Sequence, residues 1–170
     1  MPTASCLRLD LKGKKQMQRI AVKLIVGVAI SAVAIFAADN SVGTWKYNPA
    51  KSKSTSTSFK SRTDVREATP DGGVKVTRTE ESPKGESFNA TFSYKYDGKE
   101  YPVTGTNFDT ISTKQVNANT LTWEVKRADG KYHQTGRNVV SKDGKTMTQT
   151  FKGTDIAGKP VRGTNVYEKQ

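Results

Sequence analysis

The chain has 170 residues, of which 34% are hydrophobic and 26% charged, a length and balance that suit one domain and not an array of several. Lys and Arg number 28 against 16 Asp and Glu, a formal net charge of +12. One cysteine and one histidine exclude a disulfide framework and any zinc site built from clustered Cys and His.

The first segment reads as an address. Leu24 to Phe36, LIVGVAISAVAIF, carries no charge; Lys12, Lys14, Lys15, Arg19 and Lys23 precede it, and Ala37-Ala38 follow. A basic start, a short apolar core and small residues at its end predict a secretory signal peptide over 1–37, formed as a helix. The competing reading is an uncleaved anchor. Such a run covers only about 20 Å of a ~30 Å hydrocarbon layer. Met17 opens a compact signal of its own, which places residues 1–16 upstream of the expected start of translation. Cys6 precedes the apolar core, so it is no lipid acceptor, and residues 38–170 contain no cysteine. The expected location is periplasmic or secreted.

Residues 38–170 are expected to form one all-β domain. No stretch after Asp39 repeats apolar residues at helical spacing; alternation of period two takes its place. Phe88, Ala90, Phe92, Tyr94 and Tyr96 alternate with polar residues, as do Leu121, Trp123 and Val125, and more weakly Val74 and Val76. Asp71-Gly72, Asp97-Gly98, Asp129-Gly130 and Asp143-Gly144 read as hairpin dipeptides, and Pro83-Lys84-Gly85, Asn117-Ala118-Asn119 and Ala157-Gly158 supply further turns. The predicted strands are 42–47, 57–68, 74–81, 86–96, 99–104, 108–116, 120–128, 131–141, 145–154 and 159–168. The fifth is interrupted by Pro102 and Gly105, and Lys51–Ser58, KSKSTSTS, reads as a polar loop. Strands joined this tightly make an up-and-down meander. A meander of 8–10 antiparallel strands tends to close into a barrel, because closure removes its edges.

Gly43-Thr44-Trp45-Lys46 opens the first of these strands, and Thr164-Asn165-Val166-Tyr167-Glu168-Lys169 closes the last. The opening Gly-x-Trp resembles that of the calycin superfamily of lipocalins and fatty-acid-binding proteins. The ending is similar to the closing strand of intracellular fatty-acid-binding proteins, Thr-Arg-(Val/Ile)-Tyr-Glu-Lys. Gly-Thr-Trp also begins the avidin family, which has the same meandering barrel. The phrases GTWKYNPAKSK, VSKDGKTMT and GKPV resemble a group of uncharacterised exported bacterial proteins. The calycin resemblance implies that Gly43 and Trp45 close the barrel base, the glycine by close backbone passage and the Trp as a large apolar plug. It implies that Tyr167 reaches a ligand's polar end. The family's arginine is Asn165 here, which can hydrogen-bond a carboxylate without neutralising it. Arg162 has the opposite parity and should face outward; the facing of Arg137 is open. The family's helical lid has no counterpart in Asn48–Ser58.

The strand faces predict an apolar wall from Phe88, Phe92, Tyr94, Leu121, Trp123 and Val125, and weaker faces on 108–116, 131–141 and 145–154. Either the interior holds water and a partly polar ligand, or it is narrow and filled. The chemical inventory is bare. His133 has no partner for a triad or metal site, the turn aspartates are explained by turn chemistry, and no glycine loop leads into a helix to cradle phosphate. No catalytic residue, metal site or cofactor is expected. Tyr94-Lys95-Tyr96 could serve as an aromatic-basic ribbon for nucleic acid, but export argues against that partner. The leading expectation is an exported, lipocalin-like binding protein for a small amphipathic or apolar ligand. Phe92, Tyr94 and Trp123 would line its cavity, and Asn165 and Tyr167 would orient a polar end. The alternative is a ligandless structural barrel drawn to an anionic envelope surface by its basic exterior.

Overall fold

Alternation of side chains sets the architecture. In the computed structural model, which describes residues 39–56 and 59–170, eleven strands form one antiparallel sheet. They are β1 (Gly43–Tyr47), β2 (Lys53–Ser54), β3 (Ser61–Ala68), β4 (Gly73–Glu81), β5 (Ser87–Lys95), β6 (Asp97–Pro102), β7 (Thr110–Asn117), β8 (Thr120–Lys126), β9 (His133–Val140), β10 (Thr146–Thr154) and β11 (Pro160–Lys169). The order is β5-β4-β3-β1-β11-β10-β9-β8-β7-β6, with β2 on β11. The first and last strands of the domain therefore pair, Trp45 opposite Lys169 and Tyr47 opposite Tyr167. The result is a nearly closed barrel. Its seam lies between β5 and β6, which are consecutive in the chain yet share no ladder. Thr113 bridges β7 to β5 by donating its hydroxyl to the Lys95 carbonyl at 2.7 Å. The leader predicted over 1–37 lies outside the described residues.

The ten predicted strands all appear, with ends shifted by a few residues. Five turns share one device, an amide-to-carbonyl bond closing four residues with glycine last: Gly72 to Thr69, Gly85 to Ser82, Gly130 to Arg127, Gly144 to Ser141 and Gly158 to Asp155. Asp97-Gly98 is different. It lies inside β6, where the register with β7 shifts between Asp97 and Glu100, and the chain reverses one residue earlier at Tyr96. In the stretch expected to be a polar loop, residues 51–56 are more ordered than their composition predicts. A one-turn 3-10 helix, Pro49–Lys51, leads into β2. β1 covers only the end of β11, so Lys53 and Ser54 pair with the edge it leaves open, at Thr164 and Gly163. Ser52 Oγ accepts from the Val166 amide at 2.9 Å, and the Thr55 amide donates to Arg162 at 3.0 Å. Hydroxyls and backbone, not apolar side chains, hold this segment down.

One end of the barrel is sealed. Trp45 is fully buried and packs with Val140, Met147 and Tyr167. Its indole nitrogen donates to the Ser41 carbonyl at 2.7 Å. Gly43, at φ +128°, lets the chain turn into β1, and a Cβ there would fall 2.5 Å from the Lys169 side chain. The segment before β1 lies across the same end. Ser41 Oγ is 3.2 Å from the Tyr96 hydroxyl, which also donates to Asp39.

Across β8–β11 the inward row reads Trp123, Gly136, Phe151, Gly163 at adjacent register positions. Large rings cover the glycines between them, which keeps the row level on a curved sheet. A Cβ on Gly136 would lie 2.3 Å from the Trp123 ring and 2.6 Å from the Thr150 carbonyl. The ring could yield only by giving up the 2.8 Å bond from its nitrogen to Asn138 Oδ1. Gly136→Ala should therefore cost about 1–3 kcal/mol, as overpacking does. Denaturant unfolding measures this, and a red-shifted Trp emission should accompany it.

Candidate functional site

The side chains that point inward leave a cavity of about 600 Å³. It opens at the end opposite the Trp45 seal, where Ser56, Ser82, Phe88 and Ile156 line it. Phe88 and Ile156 are 48% and 53% exposed, so the mouth is partly apolar. The wall differs by strand. From β4, β5, β7 and β8 come Val76, Ala90, Phe92, Tyr94, Ile111 and Val125, continuous with Phe108 in the β6–β7 loop. Phe92 meets Phe108 edge-on at 6.1 Å between centroids, and Phe108 stacks on Tyr132 at 6.4 Å. Gln134, Asn138, Gln149 and Asn165 line the β9–β11 side; Asn165 donates to Gln149 at 3.3 Å.

The third wall is ionic. Arg62, Asp64 and Arg66 on β3 and Arg78 and Glu80 on β4 all line the cavity. Asp64 stands directly across the ladder from Arg78, and Arg62 from Glu80. Arg78 grips Asp64 with both forks, Nε to Oδ1 at 2.8 Å and Nη2 to Oδ2 at 2.9 Å. Arg62 donates through Nε to Glu80 at 2.8 Å, and through Nη1 to the Tyr167 hydroxyl at 3.3 Å. Its guanidinium lies 3.6 Å above the Phe59 ring. Arg66 stands apart. Its Nη2 is 3.7 Å from Asp64 Oδ2, an ion pair without a hydrogen bond, and its Nε and Nη1 find no partner among the described residues.

Burial by itself would raise the Asp64 pKa, but the Arg78 charge and its two hydrogen bonds outweigh it, helped by Arg66 and Arg62. The net result is a carboxyl held far below its usual range. Burial likewise opposes charge on Arg66 and Arg78, and their neighbours turn the balance, so both stay cationic. Tyr94 and Tyr132 are pushed up, chiefly by burial, and remain neutral phenols.

The residues singled out from sequence fall into two groups. Phe92, Tyr94, Trp123 and Asn165 line the cavity together. Tyr167 lies at its sealed end, 1% exposed, in the cluster with Trp45 and Met147, where it touches the ionic wall through Arg62. Arg162 is exposed, and Arg137 is exposed on the outer face, paired across the ladder with Thr122 and Thr150. His133 is exposed and 2.7 Å from Glu124. Among the described residues no group of three or more His, Cys, Asp or Glu could hold a metal ion. Arg62, Asp64, Arg66 and Arg78 escaped the sequence reading, and Glu80, which beside Glu81 and a turn reads as solvated, is instead 12% exposed in its pair with Arg62. Their signal was the parity of Val74 and Val76, which carries on through Arg78 and Glu80.

Asp64→Asn keeps the shape and removes the charge, leaving Arg78 and Arg66 buried without a counterion. The expected loss at neutral pH is about 3–5 kcal/mol, the usual cost of breaking a buried pair. Because the folded-state pKa is depressed, the contribution of Asp64 is complete above the unfolded value of about 4 and fades as pH falls toward the folded one. The difference in unfolding free energy between wild type and variant should therefore narrow below about pH 4, measured by urea titrations at several pH values.

No family model matches the chain, and no curated protein sequence does. Among solved structures, a mutant of the fluorescent protein UnaG matches at 14% identity over 77% of this chain and 96% of that one, with a TM-score of 0.52. As-p18, an extracellular fatty acid binding protein, matches at 14% identity over 78% of this chain and 98% of its own, with a TM-score of 0.48. At such identities the likeness is one of fold alone. With β1 paired to β11 and the sheet closing in chain order around them, the chain has a calycin-like barrel fold.

Proposed function

We propose that the chain is an exported binding protein that carries one small amphipathic or apolar molecule inside its barrel. The observation that carries this reading is the cavity of about 600 Å³, open at one end and sealed by Trp45 at the other. Binding sites for small organic molecules are of this size and are lined by apolar and aromatic side chains with a few placed polar groups. Phe92, Phe108, Trp123 and Val125 supply the apolar surface, and Tyr94, Asn138 and Asn165 supply polar atoms on the same walls. Asn165 and Tyr167 would orient the polar end, Asn165 directly and Tyr167 through Arg62. Export is supported by the uncharged run Leu24–Phe36 behind its lysines. A lumen with this much free space speaks against a ligandless, filled interior.

The test is a fluorescence titration of residues 38–170 with N-phenyl-1-naphthylamine, a neutral apolar probe that brightens when it leaves water. The expected result is saturable uptake at one site. Ala90 is buried on the cavity wall, and Ala90→Phe would fill part of the space, so affinity should fall about tenfold while the far-ultraviolet circular dichroism stays that of a barrel. Absence of saturable uptake by the wild-type chain would sink the proposal.

A further inference from the structure

Arg66 is 95% removed from solvent, yet two of its three guanidinium nitrogens have no partner among the described residues. The reason lies in its neighbours. One carboxylate, Asp64, is shared by two guanidinium groups, and Arg78 takes it with bonds of 2.8 and 2.9 Å. Arg66 is left at 3.7 Å. Glu80, the other carboxylate on this wall, is held by Arg62 at 2.6 Å. Asp155, at the mouth, accepts from the Ala157 and Lys159 amides of its own turn. The wall therefore sums to three cations against two anions. A buried cation without full compensation is expensive, and so is a buried donor without an acceptor. Both deficits sit on the same side chain, and that side chain lines the cavity.

We infer that Arg66 is the anchor for a single oxyanion on the molecule the barrel carries, a carboxylate or a group of like shape and charge. This rests on the proposed carriage and names its chemistry: a monoanionic amphiphile, with its charge at Arg66 and its apolar body toward the mouth. The direction follows from β3, which runs from the open end at Ser61 to the sealed end at Ala68 and puts Arg66 deeper than Asp64 or Arg62. Along the path outward lie Phe92, Phe108 and, at the rim, Phe88. The placement differs from the closing-strand arrangement that the sequence resemblance implies. Asn165 on β11 carries no charge, and the cation comes instead from β3, two strands away in the sheet.

The experiment uses two probes that share one aromatic body. N-phenyl-1-naphthylamine is neutral, and 8-anilinonaphthalene-1-sulfonate adds one anionic group. Each is titrated into the wild-type chain, Arg66→Gln and Arg66→Lys, with circular dichroism to establish that each variant is folded. The wild type should prefer the anionic probe by about tenfold or more, the worth of a hydrogen bond to a charged group. Arg66→Gln should bring that preference close to one, and Arg66→Lys should restore part of it. A wild type that binds both probes alike overturns the assignment without any variant. So does a preference that survives Arg66→Gln. A wild type that binds neither probe overturns carriage itself, which separates the two failures.

Discussion

A carboxylate buried as deeply as Asp64 is tolerable only against guanidinium, and this requirement fixes β3 on β4. Asp64 faces Arg78 and Arg62 faces Glu80 at directly opposed positions of one ladder. A slip of two residues keeps every side chain on its face but sets Arg62 against Arg78 in one direction, and Asp64 against Glu80 in the other. Like charges would then meet in a space nearly free of solvent. A slip of β3 by one residue turns its three charges outward, brings Thr63, Val65 and Glu67 inside, and leaves Arg78 and Glu80 facing in without partners. Only one register satisfies both strands. Since β3 also pairs with β1, and β1 with β11, the registry set by these ions carries to the strand that joins the two chain ends.

The same ions decide what kind of interior the barrel has. Apolar side chains from β4, β5, β7 and β8 form one continuous cluster, and a second, smaller one seals the far end around Trp45. Between them the β3, β9, β10 and β11 faces bring guanidinium, carboxylate and amide groups inward. Such groups cannot interdigitate as methyls do, because each must keep its hydrogen-bond geometry. The Trp123 and Phe151 rings lie over glycines 136 and 163, where a Cβ would fall within 3 Å of them. The cavity thus follows from the composition of the inner faces.

Strand positions, turns and the joining of the two ends were legible in the sequence because each depends on local chemistry. Phe88 to Tyr94 alternates cleanly, and glycine marks five turns where a four-residue reversal needs it. Phe92, Tyr94 and Trp123 could be placed on the cavity wall for the same reason: a large apolar side chain on an alternating strand points away from water. The ionic wall was not legible. On β3 the inward face carries Arg62, Asp64 and Arg66, while the outward face carries Thr63, Val65 and Glu67. Hydropathy alone turns that strand the wrong way round. On β4 the phase of Val74 and Val76 runs into Arg78 and Glu80, and a charge ordinarily ends an inward face. What reverses the expectation is tertiary: Arg62 and Asp64 have their partners, Glu80 and Arg78, directly across the ladder on the neighbouring strand, and a single sequence does not display pairing between strands. The β2 segment was hidden for a related reason, since its partner is an edge exposed only because β1 is short.

Within this ladder Arg66 is the residue that register does not require. Asp64 is already neutralised by Arg78, and Glu80 by Arg62. An apolar residue at position 66, facing Val76 across the ladder, would satisfy the same alternation and remove two buried donors that lack acceptors. Replacing buried charge by well-packed apolar groups is commonly neutral or stabilising. Rules of polar satisfaction that hold throughout a protein tend to fail where a ligand completes them. The adjoining Tyr96, Ser41 and Asp39 link into hydrogen bonds of their own at the sealed end. That leaves Arg66 on the cavity lining with two guanidinium nitrogens that find no acceptor among the described residues.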